Sequence, residues 1–432
     1  MQVNGPAAGP ASGLGDQFSN AMARLGPFEP QPLLSVAVSG GADSLALTIL
    51  ADGWVRARGG SVIGLIVDHG LRAASAAEAR LTAQRLAGRG IATRVLTLTD
   101  LQRGPALAER ARQARYHTLV VACAELGALH LLLGHHAGDQ AETVAQRALR
   151  GSASAGLAGM ACVVERPTVR VLRPLLAASP AALRGLLCAA GIDWVEDPSN
   201  RDRLALRSRL RAGLARHDNA AAAIAAIGAA ASVAARARAA EEESVAIALA
   251  TGVTLRPEGF VVLPAARLPV AVLRSLIQMV SGAAYPPSPD AVDALAASPA
   301  AATLAGVRLL PAGRLGPGLL LAREEAAMAA PVPAVSGARW DGRFRLADAA
   351  GVPAGATLGA LGDEAAQFRA RDGLPTAVLR TLPVLRADGM LVAVPHLLYP
   401  DAAACAQVRV IFAPPRPACG APFLGSNPAL AA

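Results

Sequence analysis

Short apolar runs at 33–38, 61–67, 93–98 and 129–133 alternate with helix-patterned stretches at 43–58, 75–89 and 106–126. Strands separated by helices of that length cannot pair as hairpins; they cross over and lie parallel. The pattern therefore predicts an α/β fold with a doubly wound parallel sheet, in which ligands bind beyond the carboxyl ends of the strands. An αβ-like stretch continues to Trp194, and the Arg-dense segment 200–211 closes a first domain spanning 33–215. Residues 216–330 are Ala-rich and helical in pattern, 331–336 read as a linker, and 337–413 as a small α+β domain of short strands and turns. Residues 1–32 and 414–432, rich in Gly, Pro and Ala, are expected to be a disordered and a loose tail.

Composition narrows the chemistry by an absence. None of the 432 residues is lysine, so all 41 basic residues are arginine, which excludes a Walker A lysine and any Schiff-base lysine. A GC-rich genome would produce the same bias, but arginine also grips phosphate with a planar fork. Between 33 and 215 there are 22 Arg against 14 acids, a surplus of eight; beyond 215 there are 18 against 16, a surplus of two. A polyanion would dock on the first half. Five cysteines without a CxxC or zinc spacing fit a reducing cytoplasm. The uncharged run 220–235 reads as a packed helix, too short and weakly apolar for a membrane.

The sharpest local signal is Ser39-Gly40-Gly41-Ala42-Asp43-Ser44, set between the first strand and the first helix. Two glycines let backbone approach a ligand, the following amides point at it, and the helix start adds partial positive charge. Ser39 and Ser44 can donate hydroxyl hydrogen bonds, and Asp43 can hold a Mg²⁺ that neutralises phosphates. The plainer alternative is a glycine turn with Asp and Ser capping a helix.

With this loop the chain resembles the PP-loop ATPases, which cleave ATP between the α and β phosphates. It resembles the tRNA(Ile)-lysidine synthetase family over 33 to about 215 through further motifs: Asp68-His69-Gly70-Leu71-Arg72, Glu109-x-x-Arg112-x-x-Arg115-Tyr116, His135-His136-x-x-Asp139-Gln140-x-Glu142-Thr143, Arg150-Gly151-Ser152 with Gly156-Leu157, Arg173-Pro174-Leu175, and Asp197-Pro198-Ser199-Asn200 with Arg207 and Arg211. Two positions depart from the family pattern: Gly138 stands where consecutive acids are usual, and Ser208 where an Asn follows the catalytic arginine. Beyond 216 the similarity is thin, carried by Trp340-Asp341-Gly342-Arg343-Phe344 and Leu382-Pro383-Val384.

Each motif also has a reading of its own. Arg112, Arg115 and Tyr116 put cationic forks beside an aromatic ring on one helix stripe, suited to an RNA loop or to a merely solvated face. Asp139 and Glu142 share a face at a helix start, where they could hold an ammonium group or simply favour the dipole. His135 and His136 with Asp139 could suggest a metal, but no third nitrogen or sulfur ligand stands at a convincing spacing. His69 either meets nucleotide, as the resemblance implies, or completes a strand-end turn.

The resemblance implies ATP and Mg²⁺ as cofactors, Ser39, Gly40, Gly41, Ala42, Asp43, Ser44 and His69 at the nucleotide, Asp43 and Arg207 as catalytic residues, and Asp43 as the metal ligand. It implies Asp139 and Glu142 at free L-lysine and Arg112, Arg115 and Tyr116 at a tRNA(Ile) with a CAU anticodon, whose wobble cytidine becomes lysidine with release of AMP and pyrophosphate. No membrane association or stable protein partner is expected, and homodimerisation stays open. The alternatives are a PP-loop tRNA thiolase, an amide-forming ATPase acting on small molecules, and a noncatalytic nucleotide-binding module.

Overall fold

The structure, a computed structural model, describes residues 10–70, 75–98, 104, 107–152, 154–195, 209–210, 213–214, 219–297, 301–369 and 373–426. The chain divides into two compact units, 1–239 with 423–432, and 240–422. The expected boundary at 215/216 is not where the units part; the division falls inside one helix, Ala220–Gly252.

The first unit holds a six-stranded sheet ordered β3-β2-β1-β4-β6-β5. Its strands are β1 (Leu33–Val38), β2 (Ser61–Asp68), β3 (Ala92–Thr97), β4 (His130–Leu132), β5 (Val163–Glu165) and β6 (Arg170–Leu172). All neighbours are parallel except the β5–β6 hairpin at the edge. Crossovers run through α2 (Ala42–Arg56), α3 (Ser75–Ala87) and α4 (Leu107–Leu126), and α5 (Ala137–Leu149) follows β4. Strand order reverses between β1 and β4, and at such a switch point the loops leaving the two strands diverge and open a crevice. The Ser39–Ser44 loop leaves β1 there, and Gly134-His135-His136 leaves β4.

The termini correct two sequence expectations. Within the supposed tail 1–32, Pro10–Arg24 is a helix, α1, whose Leu14, Phe18 and Met22 are buried in the main core with Trp54 and Leu183. Spacings of four put those three side chains on one stripe, and glycines at 13 and 15 in its first turns mask that period in the sequence. The supposed loose tail 414–432 is also anchored: Phe423 is buried against Ala158 and Ala235, and the Cys162 amide donates to the Leu424 carbonyl at 2.8 Å.

The stretch 216–330 holds more helix than strand, as expected, in Ala220–Gly252, Val270–Ser281 and Pro289–Ala297, but it also carries a sheet that the pattern did not predict. After the 33-residue helix Ala220–Gly252 it forms a five-stranded antiparallel sheet with Val270–Ser281 packed on it. The long helix is mostly exposed rather than packed, and its length and composition would suffice to cross a bilayer, although Arg236, Arg238 and Glu241 to Glu243 sit in its middle. The segment expected as a small α+β domain carries a four-stranded and a three-stranded sheet around Trp340, Phe344 and Leu358.

Candidate active site at the sheet switch point

The loop after β1 is folded on its own hydroxyls. The Ser39 amide donates to Ser44 Oγ at 3.1 Å, Ser44 Oγ donates to the Gly41 carbonyl at 3.0 Å, and the two hydroxyls lie 3.2 Å apart. Gly40 has φ +83°, and a Cβ there would meet Thr82 Oγ1 of α3 at 2.6 Å, so only glycine fits. Gly41 occupies the N-cap of α2 and has no side chain to cap it. Residues 41–44 therefore offer main-chain donors at a positive helix end beside two serine hydroxyls, a donor set that fits a polyphosphate.

The loop after β4 lies directly against this cradle. A Cβ on Gly134 would stand 3.1 Å from the carbonyl carbon and oxygen of Asp43 and from the Ser44 amide nitrogen, so a side chain would force the two loops apart. His136 is the N-cap of α5: its Nδ1 accepts from the amides of Gly138 (3.0 Å) and Asp139 (3.3 Å), while Asp139 Oδ2 accepts from the His136 amide at 3.1 Å. With Nδ1 accepting, the neutral ring carries its proton on Nε2. That nitrogen lies 3.6 Å from Asp43 Oδ2 and 3.6 Å from Asp139 Oδ2. A Cβ at 138 would meet His136 Cε1 at 2.8 Å, so a residue larger than glycine here needs the His136 ring to shift.

The other described site residues stand on α5, on α4 and just past β2. Glu142 is buried on the inner side of α5 and Asp139 half-buried in its first turn. Burial first, then the charge of Arg173, pushes the His135 imidazole down to about 4, and the charges of Arg112 and Arg115 act in the same direction. The arginine stripe of α4 thus lies within electrostatic reach of the His-His segment, with the Arg112 guanidinium 5.1 Å from the Tyr116 ring centre. His69 is half-buried just past β2. Beside it Asp68 is a buried carboxylate held below its ordinary range, chiefly by the Ser75 hydroxyl at 2.6 Å, with the Gly70 amide at 3.0 Å helping. Arg207, Arg211, Ser208 and the segment Asp197 to Asn200 lie outside the described residues, as do Leu71 and Arg72.

Three contributors escaped sequence reasoning. Thr82 and Gly134 act only through closeness to the cradle, which no spacing reveals, and Asp68 was quoted within a motif without a role. The Val195 amide donates to the Gly40 carbonyl at 2.9 Å, bringing the segment after Trp194 to the same loop. Among the described residues no cluster of three His, Cys, Asp or Glu could hold a metal by protein ligands alone. Asp43 fits Mg²⁺ as a single carboxylate whose other partners would be phosphate and water, the usual arrangement for that ion.

A phosphate cradle after β1 of a parallel sheet, with a carboxylate at the first turn of its helix, defines a PP-loop ATPase domain, and residues 15–218 match the family model described as a PP-loop domain. The chain belongs to the tRNA(Ile)-lysidine synthase family. It is 36% identical over 382 residues to the tRNA(Ile)-lysidine synthase of Ruegeria pomeroyi, covering 85% of this chain and 89% of that one. It is 44% identical over 188 residues to the one from Bradyrhizobium sp. BTAi1, covering 43% and 52%. The chain spans about half the length of the Bradyrhizobium and Rhodopseudomonas relatives it matches. A U34-tRNA thiolase from Methanococcus maripaludis superposes with a TM-score of 0.41 at 17% identity, covering 49% of this chain and 76% of that one.

Proposed function

We propose that the protein is a carbon–nitrogen ligase that attaches free L-lysine to C2 of the wobble cytidine in the CAU anticodon of a minor isoleucine tRNA. The supporting observation is the meeting at one switch point of Asp43 of the phosphate cradle and Asp139 of α5, with His136 Nε2 3.6 Å from each. In the first step cytosine O2 attacks the α-phosphorus of ATP and pyrophosphate leaves. In the second, the lysine side-chain amine attacks C2, the C2–O2 bond breaks, and AMP departs with that oxygen.

Cytosine O2 is a poor leaving group until adenylated, and negative charge gathers on the phosphates as it attacks. The amides of 41–44 and the hydroxyls of Ser39 and Ser44 hold the phosphate chain, with His69 at the nucleotide. A Mg²⁺ bound at Asp43 would neutralise phosphate charge. Arg207 is assigned to the developing charge on the α-phosphate. Asp139 and Glu142 hold the α-amino end of lysine, leaving its side-chain amine to lose a proton and attack. Arg112, Arg115 and Tyr116 take the anticodon loop, and residues 240–422 recognise the rest of the tRNA. Such a reaction belongs in the cytoplasm, where tRNA, ATP and lysine meet.

The deciding experiment is incorporation of radiolabelled lysine into transcripts of the CAU-anticodon isoleucine tRNA and of a methionine tRNA with the same anticodon. ATP-dependent label in the first alone is the expected result. Sulfur transfer in place of lysine would establish the thiolase alternative.

A further inference from the structure

Gln140, which lies between the two acids of α5 in sequence, meets the loop before β5 and the end of the described chain. Gln140, 2% exposed, accepts from the Met160 amide at 2.7 Å through Oε1, and its Nε2 donates to the Met160 carbonyl at 3.2 Å and to Ser426 Oγ at 3.4 Å. Two turns on, Arg147 Nη1 donates to the carbonyls of Gly156 (2.9 Å) and Gly159 (2.7 Å). A Cβ on Gly159, where φ is +73°, would strike the Gln140 amide at 2.6 Å, so this loop is shaped to the helix.

The same loop is gripped from its other side by the C-terminal segment. Besides the bond from the Cys162 amide to Leu424, Cys162 Sγ donates to the Gly425 carbonyl at 3.1 Å. Phe423 packs on Ala158 and Ala235 with the Arg238 guanidinium 4.2 Å from its ring centre. The chain leaves this unit at residue 239 and returns at 423, so four residues after the return close a bonded path from Phe423 through the 156–162 loop to Gln140.

We infer that Phe423–Ser426 is a strap that positions α5, and that Phe423, Ser426 and Gln140 are positioning residues for the amino-acid end of the site. The inference rests on the assignment of Asp139 and Glu142 to lysine. Both carboxylates ride on a 13-residue helix whose first turn is set by the His136 cap and whose inner face is set by Gln140 and Arg147. Loosening the strap frees the inner face while the cap and the phosphate cradle stay in place. Lysine binding then suffers, and nucleotide binding does not.

The test uses the full-length chain with Phe423→Ala, Phe423→Trp and Ser426→Ala, reading KM for lysine, KM for ATP and kcat, together with amide hydrogen exchange over 137–149. Phe423→Ala is expected to raise the lysine KM about tenfold, as loss of positioning does, with the ATP KM within about twofold and faster exchange in α5. Phe423→Trp keeps a ring beneath Arg238 and is expected to restore most of the loss. Ser426→Ala leaves the ring and removes one weak acceptor, so its lysine KM should rise about twofold. An unchanged lysine KM with unchanged α5 protection overturns the strap, as does a parallel rise in both KM values that tracks loss of folded protein. If Phe423→Ala does not fold, Ser426→Ala decides alone. Should the unaltered protein incorporate no lysine, the assigned function fails, while hydrogen exchange in Ser426→Ala and Phe423→Trp still decides whether the segment holds α5.

Discussion

His136 Nε2 stands 3.6 Å from the Asp43 carboxylate while Nδ1 of the same ring caps α5. One imidazole therefore stands between the phosphate loop and the helix that carries Asp139 and Glu142. Its tautomer is fixed by two backbone amides, so the ring presents a donor to the carboxylates and cannot serve as a base without giving up the cap.

Separating the two roles of His136 takes two substitutions. Asparagine is a strong N-cap residue but too short to reach Asp43; alanine does neither. His136→Asn is expected to leave thermal stability nearly unchanged while slowing AMP release at least about tenfold. His136→Ala should show the same loss and a stability lower by about 1 kcal/mol. Chemical denaturation and AMP-release assays on both variants check this, and equal activity in His136→Asn and the parent would reduce the residue to a cap.

Asp43→Asn is expected to abolish ATP-dependent AMP release while tRNA binding stays within a few fold, because the carboxylate serves metal and phosphates rather than RNA. Raising Mg²⁺ should not rescue it. A filter-binding assay beside an AMP-release assay is sufficient, and retained turnover would remove Asp43 from the chemistry.

Arg112 and Arg115 flank Tyr116 on the half of the chain with the basic surplus. Replacing both by alanine is expected to weaken tRNA binding and to flatten the plot of log affinity against log salt by about 0.7 for each lost phosphate contact. ATP binding without tRNA should be unchanged. An identical salt slope would leave the stripe as a solvated face.

The parallel sheet and the cradle were legible because both are local: 33–38 and 61–67 are apolar enough to be strands on their own, and Gly40-Gly41 must sit where they do. The boundaries agree to within two residues for most of these elements. What escaped depends on partners far along the chain. The helix Pro10–Arg24 looks like a tail until Phe18 and Met22 meet the core, and Phe423 looks loose until it meets Ala158 and Ala235. The five-stranded sheet beyond the long helix was hidden because strands such as Val261–Leu263 are three residues long and bracketed by Gly and Pro. Of the two readings of the α5 acids, the capping one is visible at Asp139, whose Oδ2 accepts from the His136 amide.

Trp340-Asp341-Gly342-Arg343-Phe344 was the strongest motif in the second half, and its charges turn inward. Asp341 Oδ1 and Oδ2 accept from Arg323 Nη2 and Nε, both at 3.0 Å, Oδ2 also accepts from Arg343 Nε at 2.7 Å, and Oδ1 from the Ala329 amide at 3.0 Å. Arg343 is wholly buried, so neither it nor Arg323 is available to RNA. Burial alone would raise the Asp341 pKa, but the Arg323 hydrogen bonds, the Arg343 charge and the Ala329 amide outweigh it and hold the carboxyl below its ordinary 3.8. A group depressed in the folded state contributes stability that is full above its unfolded pKa and is lost as pH falls through the folded one. The cluster should therefore be indifferent to pH between neutrality and about 5, and weaken steeply only below about 4. Asp341→Asn leaves two buried guanidinium groups without their anion, which is expected to cost about 3–5 kcal/mol at pH 7 and to flatten the acid limb of the stability curve. Denaturant unfolding of both proteins from pH 7 to 3 measures the two effects together. A variant as stable as the parent at neutral pH would show that the cluster does not hold these sheets.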